Sequence, residues 1–401
     1  MTIASAAHRL RSSRALRVGL ALGIGVTARA VANRAATKAP KGLVDWERAQ
    51  RIAQRRLARA PGSLTSQQLH AAVPAYARHM SRVVPLLEER LGAGLPGVVE
   101  RHAVVSRQEW TVANLGTFKT LVAHLEPSLM PRAPDGTVRA GVAAATNRLV
   151  TTGQVGFLLG YLGTRVLGQY DVALLSAEHE PGRLLYVEEN IRATARSLRV
   201  PIEDFRLWVC LHETTHAFEM EAHPWLRPYI RERLERQVAL FAEETRRLQR
   251  HGLRHLARRW RRAAAEGSIR GFLSDEQRSL FRETQLVMSL MEGFSDWVMD
   301  EVGADVLPDV VSIRKRFEAR RSQRRRAIDR IMARLTGMDL KLEQYKRGER
   351  FVAGVHRAGG PAAIAHLWDG PATLPTDHEM EEPAAWVRRV LPDVLGPGGH
   401  A

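Results

Sequence analysis

The chain has 401 residues, of which 45% are hydrophobic and 26% are charged, and this balance excludes an intrinsically disordered protein. A net charge of +17 favours acidic partners such as nucleic acid, an anionic membrane surface or an acidic protein, without identifying one of them. A single cysteine, Cys210, excludes an intrachain disulfide, so the expected location is the cytoplasm.

The N-terminal segment is basic and weakly apolar. Four arginines precede a mildly apolar run at residues 18–26, and no acidic residue occurs before Asp45. This pattern favours a flexible basic tail over residues 1–43, able to contact anionic lipid weakly; a cleaved signal peptide is the less favoured alternative. No run reaches the ~20 apolar residues of a membrane-spanning helix. The nearest one, residues 149–164, is predicted to be a buried helix whose glycines admit close neighbours.

The remaining pattern predicts a mainly α protein with at most a few short strands. Strands are predicted at residues 102–106 and 184–188. Prolines between residues 127 and 136 indicate a domain boundary. The predicted domains are an N-terminal helical domain at 44–135 and a catalytic helical domain at 136–395, followed by a disordered C-terminus at 396–401. Helices are predicted at residues 45–59, 65–91, 109–125, 202–222, 226–250, 252–266, 275–302 and 310–335.

The strongest chemical signal is a His-Glu-x-x-His motif at residues 212–216. On a helix, His212 and His216 lie one turn apart on the same face, so their imidazoles can bind one zinc ion. Glu213 then lies beside the metal, where it can take a proton from bound water. It is the only charged residue between Arg206 and Glu219, and a carboxylate in such an apolar helix needs a partner or a catalytic role. The motif therefore predicts one zinc ion, with Glu213 as the general base.

A third ligand is expected because catalytic zinc usually keeps three protein ligands and one open position. Glu292 and Asp296 interrupt a second apolar helix at a spacing of four residues, so both point the same way. Zinc peptidases of the thermolysin type use this arrangement, in which the Glu binds zinc and the Asp hydrogen-bonds the far nitrogen of a ligand histidine. We predict these roles for Glu292 and Asp296, while Glu219 is expected in a supporting or surface role. The alternative is that Glu292 and Asp296 pair with nearby arginines in a structural network.

The segment from Ile313 to Arg334 is an arginine-rich predicted helix. We interpret it as a solvated helix face, with Phe317, Ile328 and Ile331 on the buried side. A patch for nucleic acid or phosphate is the alternative, and nucleic acid is not favoured because no interleaved aromatic residues or known motif accompany the arginines.

Beyond these features, the chain resembles the zincin-like metallopeptidase family. The resemblance rests on the motif at 212–216, on Pro224-Trp225-Leu226-Arg227, and on Met291-Glu292-Gly293 with Asp296. It extends over roughly residues 43–395. Members of the family include proteins described as associated with biosynthesis of the deazaflavin coenzyme F-420.

The resemblance implies a mainly helical fold with a zincin-like metal site. It also implies that His212, His216 and Glu292 bind one zinc ion and that Glu213 is the general base. The expected activity is hydrolysis of a peptide or amide bond in a peptide or protein substrate, by water that zinc activates.

Other parts of the expected mechanism are less closely defined by sequence. Tyr345, His223 and His356 are candidate donors to the oxyanion, and the predicted strand at 184–188 is a candidate edge strand for an extended substrate. The alternative function is a zinc-stabilised, non-catalytic binding or scaffold protein whose basic helix contacts an acidic partner. Retention of zinc with loss of hydrolysis in Glu213→Gln would distinguish the enzyme from the scaffold.

Overall fold

The computed structural model describes residues 42–129, 138–171, 182–240, 243, 274–323 and 338–392. Within these residues the protein is mainly α, as predicted, with one three-stranded sheet and, besides a helical stretch at 226–240, twelve α-helices. Residues 226–240 are also helical, and the rest of the predicted helices at 226–250 and 252–266 lies outside the described residues. The α-helices are α1 (Trp46–Leu57), α2 (Ser66–His70), α3 (Val73–Leu91), α4 (Arg107–Leu129), α5 (Val138–Gly163), α6 (Glu188–Leu198), α7 (Ile202–Glu221), α8 (Asp275–Glu301), α9 (Gly303–Val306), α10 (Val310–Gln323), α11 (Met338–Ala365) and α12 (Pro383–Val390).

The chain forms two compact units that do not follow its linear order. One contains residues up to 56 together with 114–161, and the other contains 57–113 together with the residues from 162 onward. The boundary predicted near residue 135 falls among residues 130–137, outside the described residues, as do residues 396–401 and nearly all of the predicted tail. The division into a domain at 44–135 and a domain at 136–395 therefore stays a prediction.

In the first unit, glycines of α5 lie directly against α1. A Cβ atom at Gly156 would lie 2.6 Å from the carbonyl oxygen of Ala49, and one at Gly160 would lie 3.1 Å from the Cα of Ala53. This confirms the prediction of a close neighbour for Gly156 and Gly160, whereas a Cβ atom at Gly153 would meet nothing within 4 Å. None of the described helices is long and apolar enough to cross a membrane.

The sheet of the second unit has the order β1-β3-β2, where β1 is His102–Val105, β2 is Gly168–Asp171 and β3 is Arg183–Val187. Strand β1 pairs with β3 in parallel, and β2 pairs with β3 in antiparallel orientation. The prediction that residues 184–188 form an edge strand is therefore wrong, because β3 is the central strand. Its continuous apolar run is buried from Leu184 to Val187, as expected of a strand covered on both faces. Glu188 is the first residue of α6.

Helices α7 and α8 lie in the core of the second unit. Most of α7 is buried, on all of its faces, so it shows no amphipathic periodicity. Helix α8 begins where predicted because Ser274 caps it, accepting a hydrogen bond from the backbone N–H of Gln277 in a capping box. Close packing with α11 occurs at Gly293, where a Cβ atom would collide with the backbone of Gly348. Gly293 thus leaves room for the backbone of α11.

Candidate metal centre

Helices α7 and α8 bring together the three residues predicted as metal ligands. The rings of His212 and His216 are edge to face with their centroids 4.7 Å apart. The Oε2 atom of Glu292 lies 3.9 Å from the Nε2 atom of His212. One ligand atom from each of the three residues lies within 4.8 Å of the others, which is close enough for all three to contact one ion. Metal binding itself stays a prediction.

Aromatic packing orients the ring of His212. Trp208, one turn earlier on α7, stacks on this ring with the two planes 2° from parallel and the centroids 6.0 Å apart. Phe205 stacks on Trp208 from the preceding turn, and Phe317 of α10 packs against the same indole ring. The imidazole is thus held on one side by a buried column of rings, which limits its rotation about χ2.

His216 has a buried carboxylate on its far nitrogen. Its Nδ1 atom lies 2.8 Å from Oε2 of Glu219, and the hydroxyl of Ser295 on α8 lies 3.3 Å from the same nitrogen. When the ring is neutral and Nδ1–H donates to Glu219, the Nε2 atom of His216 has the free lone pair that a metal requires. Glu219 is fully buried, which excludes the surface role considered from sequence. The signal in the sequence was an acid three residues after the second histidine, in a helix that is otherwise apolar.

Glu213 is buried against the edge of the sheet. A Cβ atom at Gly168 of β2 would lie 2.5 Å from the Cγ atom of Glu213, so only glycine leaves room for this carboxylate. The backbone N–H of Tyr170, also on β2, donates to the Glu213 carboxylate. Sequence reasoning assigned no role to β2, and only contact across the fold reveals it.

The surroundings of Glu213 favour its protonated form. Burial raises the pKa of Glu213 to about 7, with a further contribution from the charge of Glu292, while His216 and the Tyr170 N–H oppose the shift. A carboxyl group with a pKa near neutrality can both accept and return a proton, which is the property that a general base and acid requires.

The charges around His216 favour a cation. Burial opposes protonation of His216, but Glu219, Glu292 and Glu213 outweigh it and raise its pKa to about 10. Burial also raises the pKa of Glu219 to about 7, and His216 opposes that shift. A site that stabilises positive charge, with two imidazole nitrogens and one carboxylate oxygen as donors, matches the ligands that zinc prefers.

Asp296 lies one turn after Glu292 and faces an arginine. Its Oδ2 atom is 3.8 Å from Nη2 of Arg314, whose guanidinium also pairs with Glu349 at 2.7 Å and Asp300 at 2.5 Å. The role of Asp296 as the partner of a ligand histidine stays a prediction. In the described part of the basic helix, Arg314 thus pairs with acids of the same chain. Ile313 on this helix is buried, as expected of a helix with one face packed on the core.

The candidate oxyanion donors differ in their surroundings. His223 packs between Phe218 and Trp368, with ring centroids at 5.5 and 5.9 Å, and burial lowers its pKa to about 4. It is therefore neutral at pH 7. His356 packs against Trp297 at 5.4 Å. The side chain of Tyr345 lies outside the described residues. Which of the three donates stays open.

Comparison with known proteins yields one family and one solved structure. The family model described as zincin-like metallopeptidase matches residues 44–387. The chain is 35% identical to a crystal structure from Chloroflexus aurantiacus described as "a putative hydrolase with a novel fold". The TM-score is 0.64, and the match covers 86% of this chain and 98% of that chain. No match is found among curated proteins.

Proposed function

Because the chain belongs to the zincin-like metallopeptidase family, we propose that it is a zinc-dependent hydrolase that cleaves peptide or amide bonds. The observation that carries this proposal is the meeting of His212, His216 and Glu292 from two helices, with Glu213 buried beside them. Membership of the family supports a hydrolase, and the donor set supports zinc as the metal.

His212, His216 and Glu292 are the residues that would hold the ion. A set of three protein ligands would be typical of a catalytic rather than a structural zinc site. When bound, zinc lowers the pKa of a water molecule and polarises a carbonyl oxygen. Glu219 would keep His216 in the required tautomer, and Trp208 would hold the plane of His212.

Glu213 would transfer the proton. Its carboxylate would accept a proton from the attacking water and then donate it to the nitrogen of the departing amine, so that it ends the cycle ionised. Both steps require a carboxyl group that exchanges a proton reversibly, which is the role of a general base and acid. Gly168 and the Tyr170 N–H would fix the position of this carboxylate, since Gly168 leaves the space and Tyr170 supplies the hydrogen bond.

The outer side of β2 is where this strand meets Glu213. In the antiparallel pair the N–H of Val187 donates to the carbonyl of Leu167. The backbone N–H and C=O groups of every second residue, counted from Leu167, therefore point to β3. The backbone groups of Gly168 and Tyr170 therefore face away from β3, on the side where Glu213 lies. The predicted link with coenzyme F-420 biosynthesis stays a prediction.

The test is Glu213→Gln, assayed with a quenched fluorescent peptide library. We expect zinc content to be unchanged and turnover to fall by about 10²–10⁴-fold, because the amide keeps the shape of the side chain but cannot accept the proton. Glu203→Gln is the matched control, since Glu203 is a half-exposed acid at the start of the same helix. Turnover at the wild-type rate in Glu213→Gln would contradict the mechanism. Bound zinc with no turnover of any library peptide by the wild-type protein would favour the scaffold alternative.

A further inference from the structure

Tyr170 connects strand β2 to helix α7 at two separate points. Its backbone N–H donates to Glu213 in the middle of α7, and its hydroxyl donates to Oε1 of Glu221, the last residue of α7, at 2.7 Å. The two carboxylates are eight residues apart, which corresponds to about 12 Å along a helix. One residue thus bridges the strand to both the middle and the end of the helix that carries the proposed general base.

The partners of the Tyr170 hydroxyl are themselves held in place. Arg101 donates to both oxygens of Glu221, at 2.6 and 2.7 Å, and to the carbonyl oxygens of Gly182 and Pro96 at 3.1 and 2.7 Å. The backbone N–H of Gly182 donates to the Tyr170 hydroxyl at 2.9 Å. A Cβ atom at Gly182 would collide with the Tyr170 ring, so the ring lies flush against the backbone. Both bonds to Glu221 come from the Nη2 atom of Arg101, and charge-assisted hydrogen bonds of this kind are stronger than neutral ones.

We infer that Tyr170 is a positioning residue for Glu213. The hydrogen bond from its hydroxyl to Glu221 holds β2 close to α7, and this short distance allows the Tyr170 N–H to reach the Glu213 carboxylate. The inference rests on the proposed function for its catalytic consequence. Without the hydroxyl, Glu221 keeps its ion pair with Arg101, and β2 loses one of its two ties to α7. Since the single O–H of Tyr170 is donated to Glu221, Tyr170 is not a donor to the oxyanion.

The kinetic test is Tyr170→Phe in the full-length, zinc-loaded protein. We expect kcat to fall about tenfold while KM changes less than about twofold and zinc content stays the same, because small misplacement of a catalytic group slows the chemical step. Tyr76→Phe is the matched control, since the buried Tyr76 hydroxyl also donates to a glutamate, Glu188, at 2.7 Å. The control is expected to lose stability and to keep kcat, which separates positioning from a general effect of removing a buried hydroxyl.

Glu221 gives a graded comparison. Glu221→Gln keeps an oxygen acceptor for the Tyr170 hydroxyl but weakens the pair with Arg101, whereas Glu221→Ala removes both. We expect kcat in Glu221→Gln to lie between those of the wild type and Glu221→Ala, and Glu221→Ala to match Tyr170→Phe. Equal kcat values in wild type, Tyr170→Phe and Glu221→Ala would overturn the inference.

Amide hydrogen exchange tests the positioning independently of any activity. In metal-free protein, the backbone amides of residues 168–171 are expected to exchange about tenfold faster in Tyr170→Phe than in wild type, because a hydrogen bond to a charged group is lost beside them. The same segment is expected to be unchanged in Tyr76→Phe. Unchanged exchange in Tyr170→Phe would refute the tie between β2 and α7. If no substrate is found, the proposed function fails in the peptide assay. Hydrogen exchange still tests whether Tyr170 holds β2 against α7.

Discussion

Two buried glutamates of α7, Glu213 and Glu219, face different neighbours and are therefore expected to have different roles. Glu213 points to β2, where Gly168 leaves space and the Tyr170 N–H supplies one hydrogen bond. Glu219 points to Nδ1 of His216. A carboxylate with only one neutral donor can exchange a proton, whereas one paired with a ligand histidine orients the ring and makes it a stronger ligand.

At the residue scale, Glu219→Gln is expected to weaken zinc binding by about tenfold or more, because partners of ligand histidines typically contribute about 10–100-fold to metal affinity. Competition with a coloured chelator measures this constant. Glu203→Gln on the same helix serves as the control and is expected to bind zinc as the wild type does. An unchanged affinity in Glu219→Gln would show that the carboxylate does not act through His216.

Gly168→Ala is expected to lower kcat by about 100-fold while zinc remains bound. The new methyl group would overlap the side chain of Glu213 and push its carboxylate out of position, and a small misplacement of a catalytic group slows the chemical step. The matched control is Gly370→Ala, since a Cβ atom at Gly370 would have no neighbour within 4 Å. Steady-state kinetics with the best library peptide and zinc analysis of the same preparations test this expectation. Normal turnover in Gly168→Ala would mean that Glu213 is not held against β2.

At the scale of elements, the position of Glu292 depends on how closely α8 and α11 pack. Gly293 and Gly348 face each other, and a Cβ atom at Gly348 would overlap the carbonyl oxygen of Ser289. No side chain can be accommodated there without moving one helix. Because Glu292 precedes Gly293, such a movement would also shift the carboxylate predicted to bind metal.

Gly348→Ala is therefore expected to destabilise the protein by about 1–3 kcal/mol, the usual cost of overpacking, and to weaken zinc binding. Gly116→Ala in α4 is the control, since its Cβ atom would meet no neighbour and alanine favours a helix; it is expected to be neutral or stabilising. Chemical denaturation measures both variants. Wild-type stability in Gly348→Ala would show that the two helices are farther apart than described here.

The elements that carry the ligands could be predicted because their signals are local. Ser274 marks the start of α8, and the spacing of Glu292 and Asp296 places both on one face of it. The place of β3 in the sheet could not be predicted, since it depends on pairing with β1 and β2, which are distant in sequence. The contact of β2 with Glu213 was missed for the same reason, because nothing in the sequence around Gly168 indicates which helix covers it.

At the scale of the whole molecule, the charge cluster makes metal-free stability depend on pH. The pKa of Glu213 in the folded protein is about 7 against an ordinary value of 4.5. Because the folded protein holds the proton of this carboxyl group more tightly than the unfolded chain does, protonation stabilises the fold. This contribution is fully present below pH 4.5 and is lost as pH rises through 7. The raised pKa of His216 acts in the same direction, with its contribution lost as pH rises from 6.5 through about 10.

We therefore expect metal-free Glu213→Gln to gain stability relative to metal-free wild type as pH rises from 5 to 8, because glutamine cannot ionise. The gain is on the order of 3 kcal/mol, from about 1.4 kcal/mol for each pKa unit. Subtracting the two unfolding free energies at each pH cancels the titration of the groups that do not interact with position 213. A constant difference across this range would contradict the raised pKa of Glu213.

The proposed hydrolase activity requires one zinc ion held between α7 and α8. Zinc analysis of wild type and Glu292→Ala tests this requirement most directly. Both proteins, with Glu276→Ala as a control on an exposed acid of α8, would be purified identically and measured by mass spectrometry. We predict one zinc ion per chain in wild type and in the control, and loss of most of the zinc in Glu292→Ala. Full zinc content in Glu292→Ala, or none in wild type after exposure to zinc, would contradict it.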